Sequence, residues 1–169
     1  MGEEPAAIRD ALDRATAAFD APPETLSFPP TVEPTETKTA VVSLRTACRL
    51  LTACRSLREP DGYHASVIEL SFAAIEHSLA AAAHSRGETL RKADSGRATA
   101  FARAGDLGLV SETTAEQLKQ LHRDNRRRTR TRDTAAAAQH ATAMFDLAVA
   151  VHTHVADTAA LSHECTCEG

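Results

Sequence analysis

The densest chemistry in this chain lies at residues 123–132, which read Arg-Asp-Asn-Arg-Arg-Arg-Thr-Arg-Thr-Arg. A guanidinium is a planar, permanently charged fork of donors. Several together suit phosphate oxygens, but they cannot act as a base near neutrality. Upstream, Leu118 and Leu121 mark an apolar helix face that, extended by a turn, meets Asn125, then Arg128 or Thr129, then Arg132. A buried Asn or Arg must be hydrogen-bonded, so this end of the helix is expected to face a cleft, a partner or water. Arg123, Arg126 or Arg127, and Arg130 follow a neighbouring face at helical spacing. The plainer alternative is a solvated helix end. There the macrodipole favours arginine, and Asp124 pairs with Arg127 or Arg128 for ~0.2–0.5 kcal/mol per pair. No aromatics interleave with the run, so binding through it would be a salt-sensitive backbone contact that reads sequence poorly.

Other reactive residues carry weaker patterns. His163-Glu164-Cys165-Thr166-Cys167 places two thiols and an imidazole close together. Zinc sites usually space paired cysteines by two to four residues and add a second pair. With Cys-x-Cys and no matching pair, a frayed tail without metal is expected; two tails bridged in a dimer would be the persuasive exception. Cys48 and Cys54 fall within a helical pattern and are read as small apolar residues. His77, His84, His140, His152 and His154 lack metal-motif spacing and are read as surface or interface residues. Glu69 and Glu76 share a helix face; acid–base work or a carboxylate metal site is one reading of it, and a solvated or arginine-paired face is the better one. No glycine-rich phosphate loop, serine-centred elbow or paired-cysteine motif occurs.

The elements that must position these residues are helices. The 169 residues suffice for one core, and 43% are hydrophobic, many of them alanine, with 4% aromatic and no Trp. Alanine favours helix and buries little area, so closely packed helices are expected. The net charge is -4, so any pull on nucleic acid must come from a local patch. The acidic N-terminus lacks the order of a signal peptide, and the alanine-rich stretches are interrupted before a membrane span is complete. The expectation is a soluble, cytoplasmic protein with reduced thiols and no membrane contact.

Apolar spacing predicts helices over residues 5–19, 39–57, 63–85, 97–104 and 135–161, and another opened by a capping box at Thr113-Thr114-Ala115-Glu116. Residues 20–38 carry five of the seven prolines and read as an extended connector. The organisation is thus an N-terminal helix (1–19), the connector (20–38), a helical bundle (39–161) and a flexible tail (162–169).

The Asn125-Arg126 pair, behind the Leu118/Leu121 stripe, resembles the Arg-x4-6-His helix of HEPN domains. The segments ASVIELSFAAIEHSLAAAA, AFARAGDLGLVSETTAEQLKQL and HATAMFDLAVAVHTHV are similar to successive helices of archaeal HEPN-like proteins, so the likeness spans about residues 41–155. It implies an all-α, single-domain HEPN-like bundle of about four to six helices, commonly a homodimer. In nuclease members the motifs of two protomers meet and cut RNA without metal. Here no register supplies the histidine: counted from Arg126 it would fall within residues 131–133, and His140 is too distant. A base near neutrality is then missing. The family's modifiable tyrosine also has no counterpart; only the hydroxyls of Thr129 or Thr131 stand near.

The expected function is therefore a non-catalytic interaction module with no cofactor. It would touch RNA or a nucleotidyltransferase-type protein through Arg123, Asn125, Arg126, Arg127, Arg128, Arg130 and Arg132. A metal-independent ribonuclease toxin of a toxin–antitoxin pair and a purely structural helical adaptor are the alternatives.

Overall fold

The structure, a computed structural model, describes residues 6–20, 36–59, 62–91, 95–128 and 134–167. Among the described residues there are six α-helices and no strand: α1 (Ala6–Asp20), α2 (Glu36–Arg58), α3 (His64–Ser85), α4 (Arg97–Asp106), α5 (Glu112–Arg128) and α6 (Thr134–Thr158). A 3-10 turn follows at Ser162–Glu164. The all-α bundle expected from the periodicity is the observed class. The chain divides into two compact units, Met1–Glu33 and Pro34–Gly169. The first contains α1, with Ile8 and Leu12 one turn apart. Most of the proline connector, and Thr129 through Arg132 of the arginine run, lie outside the described residues.

Within the second unit α3 is the central element, packed against α2 on one side and α6 on the other. Its sequence explains that place. Ala74, Ala81, Ala82 and Ala83 are buried and let neighbouring backbones approach, while Phe72, Ile75 and Leu79 supply the apolar area. Leu44 and Leu51 of α2 and Met144, Phe145 and Ala148 of α6 complete the core. The α3 helix is long and apolar enough to cross a membrane, which the interruptions in its sequence had argued against, yet 61% of that window is buried inside the bundle. Core packing accounts for its hydropathy.

The helix ends sharpen the sequence reading. The cap of α5 is Ser111, two residues before the expected Thr113: the Thr114 N–H donates to Ser111 Oγ at 3.1 Å. α6 closes through Ala160, whose φ of 57° is left-handed. The Leu161 N–H donates back to the Ala156 carbonyl at 2.8 Å. That conformation costs an alanine roughly 1–2 kcal/mol, and it redirects the tail onto the bundle with Leu161 buried.

α4 and α5 form a tight pair at a glycine. A Cβ on Gly105 would stand 2.8 Å from the Ala115 Cβ. Replacing it would push the two helices apart. Gly105→Ala is expected to lower unfolding stability by about 1–3 kcal/mol in urea titrations; an unchanged midpoint would mean that the pair is not closely seated.

Candidate functional site

The polar cluster that positions α5 is built from α3 upward. Glu69 and Glu76 lie two turns apart on α3, and Glu76 is buried at 8% exposure. A carboxylate there needs partners. Arg97, the first residue of α4, supplies them: its Nε donates to Glu76 Oε2 at 3.1 Å and its Nη1 to Glu69 Oε2 at 3.2 Å. Arg91 Nη1 reaches Glu76 Oε1 at 3.1 Å. The Arg97 guanidinium also lies 5.7 Å from the Phe72 ring centroid. The sequence left a solvated or an arginine-paired face, and the structure has the arginine-paired one.

α5 packs chiefly on α4 and reaches α3 through long side chains. Asn125 Nδ2 donates to Glu69 Oε1 at 2.7 Å. His122 meets Phe72 edge-on, with ring centroids 5.5 Å apart. Leu118 is buried but Leu121 is 40% exposed, so the apolar face opens within one turn. A hollow remains between α3, α5 and α6, lined by Ile68, Phe72, Leu121, Asn125, His140 and Met144. His140, too far along the chain for the motif, is therefore brought to the same hollow as Asn125.

Arg123, Arg126 and Arg127 are exposed along the last turns of α5. Arg123 donates to Glu116 Oε1 at 3.1 Å and to Gln120 Oε1 at 2.8 Å. Hydrogen bonds from Lys119 first, then Arg123, hold the Glu116 carboxyl below its ordinary range. Asp124 accepts from Gln120 at 2.8 Å. Arg128 ends the helix; Arg130 and Arg132 fall outside the described residues.

A second constellation was not legible as one in the sequence. Cys48 of α2, His152 of α6 and the tail residues Cys165 and Cys167 place their ligating atoms within 4.8 Å of one another. His152, expected to be a surface or interface residue, is buried at 3% exposure. Cys48, expected to be a plain core residue, turns its sulfur to this cluster. The tail, expected to fray, docks here instead. Burial first, and the Arg55 charge second, hold the His152 imidazole below its ordinary range. At Cys48 burial raises the thiol, but hydrogen bonds from Cys167, the Thr166 N–H and Cys165 outweigh it and leave the thiol below its usual value. The Cys167 thiol is pushed far up by burial and by Cys48.

The His122 environment gives a pH dependence with a definite sign. Burial, then the Arg97 charge, lowers its imidazole below the ordinary value. The unfolded chain thus takes up this proton first as pH falls. The stability carried by neutral His122 is complete above about 6.5 and is lost on acidification toward the folded value. An NMR titration should place the His122 midpoint below about 6.5, and His122→Gln should flatten the fall in stability between neutral and acidic pH. A midpoint at or above the ordinary value would contradict the packing against Phe72.

Comparison with known proteins adds a family and no activity. A family model described as a domain of unknown function, DUF8154, matches residues 3–167. No curated protein and no solved structure matches the chain. Because that model covers nearly all of the sequence, both the α5 hollow and the Cys/His cluster lie within it, and the chain belongs to the DUF8154 family.

Proposed function

We propose that the chain is a HEPN-like helical interaction module that binds RNA through the end of α5 and does not cut it. The observation that carries this reading is the exposure of Arg123, Arg126 and Arg127 on a helix whose other side is held by Asn125 and His122. With α5 fixed in this way, the backbone that carries the arginines need not be ordered on binding. Each guanidinium offers a fork to a phosphate oxygen pair and displaces a counterion. The chain as a whole carries a charge of -4, so the attraction is local. The proposed setting is a reducing cytoplasm, and the proposed assembly is the homodimer that the HEPN likeness implies. A nucleotidyltransferase-type protein is the competing partner for the same arginines.

One observation favours a second reading. His140 shares the hollow with Asn125, and an imidazole is the usual base of metal-independent RNA cleavage. A ribonuclease built on His140 instead of the family's motif position would use this hollow.

Fluorescence anisotropy with a single-stranded RNA across a salt series tests the first reading. Affinity should fall steeply with salt, and the combined Arg123→Gln, Arg126→Gln and Arg127→Gln variant should lower the logarithmic salt slope by about 2. Absent binding, or a salt-independent curve, removes RNA as the partner. Intact RNA after prolonged incubation supports the non-cutting module; cleavage abolished by His140→Ala establishes the second reading in its place.

A further inference from the structure

We infer that Cys48, His152, Cys165 and Cys167 form a structural Zn2+ site that clamps the C-terminal tail to α2 and α6. This is independent of the RNA reading, because none of the four residues belongs to the α5 hollow.

The ligand atoms already stand where a tetrahedral ion needs them. Zn–S bonds of about 2.3 Å and Zn–N bonds of about 2.0–2.1 Å put neighbouring ligand atoms roughly 3.5–3.8 Å apart. Here the Cys48 and Cys165 sulfurs are 3.6 Å apart, and His152 Nε2 lies 3.4 Å from the Cys48 sulfur. The same nitrogen is 3.3 Å from each of the Cys165 and Cys167 sulfurs. Three thiolates and one imidazole make a soft donor set that suits zinc. Four protein ligands leave no open position, so the role is structural and not catalytic.

The surroundings orient these ligands as a metal site requires. His152 Nδ1 is 3.0 Å from Ser78 Oγ. With the Nδ1–H donating to that hydroxyl, Nε2 keeps its lone pair for the ion. The Thr166 N–H donates to the Cys48 sulfur at 3.4 Å, the kind of bond that steadies a thiolate. Three thiolates on Zn2+ carry a net negative charge, and Arg55 stands by it with Nη1 donating to the Cys167 carbonyl at 3.2 Å. Arg45 pairs with Glu164 and holds the 3-10 turn to α2. The Cys-x-Cys segment is thus delivered by the turn at Ala160 and held to α2 by Arg45 and Arg55.

The competing chemistry for such close sulfurs is a disulfide between Cys48 and Cys165, and the test separates the two. Full-length protein purified anaerobically with zinc in the medium should contain one zinc per chain by elemental analysis. Replacement by Co2+ should give the visible absorption of a tetrahedral thiolate complex. The double variant Cys165→Ser/Cys167→Ser alters only half-buried tail positions, and it should lose both signals while its circular dichroism stays helical. Ser78→Ala should keep the metal with affinity weaker by about 10–100-fold. Absence of stoichiometric zinc and of the cobalt spectrum would overturn the site, as would zinc retained by the double variant or a Cys48–Cys165 disulfide in place of metal.

Discussion

The grip of Arg97 on Glu76 and Glu69 is the interaction on which the placement of α4, and through it α5, depends. Glu76 sits in the middle of the most buried helix, where an unpaired carboxylate would cost several kcal/mol. The first residue of α4 answers it, so α4 must begin beside α3. α5 then follows α4 through the close approach at Gly105 and Ala115. Only after these steps does Asn125 come within reach of Glu69 and His122 within reach of Phe72. The orientation of the arginine helix is thus inherited from a salt bridge at the far end of α4.

The helices were legible in the sequence because their signal is local. Ile68, Phe72, Ile75 and Leu79 recur at the period of a helix, and the observed α3 starts and stops within a residue of the expected bounds. Spacing put Glu69 and Glu76 on one face but left it solvated or arginine-paired, and Arg97 decides that only in space. The cap of α5 was misplaced because Ser111, Thr113 and Thr114 all have capping side chains. The geometry of one hydrogen bond to Ser111 decides among them.

The Cys/His cluster was not legible for a different reason. Zinc motifs are recognised when ligands sit in pairs on one short loop, whereas Cys48 and His152 are separated by 104 residues. Each is a single residue in a regular helix, with no local mark to distinguish it from a core position. Only the return of the chain at Ala160 joins the helices to the Cys-x-Cys tail. Ser78, which orients His152, and Glu69, which receives Asn125, both belong to α3 and lie nine residues apart, about 13 Å along the helix axis. One central helix therefore supports two polar clusters: the Cys/His cluster that holds the tail, and the contacts that hold the basic end of α5.

The central functional claim concerns which surface the ligand meets. The most direct measurement is NMR chemical-shift mapping of the full chain on addition of a short single-stranded RNA. The account predicts that perturbations concentrate on α5 from Arg123 to Arg128 and on the rim of the hollow at Leu121 and His140. Shifts confined to the arginines of α2, such as Arg45 and Arg49, with α5 unmoved, would contradict it.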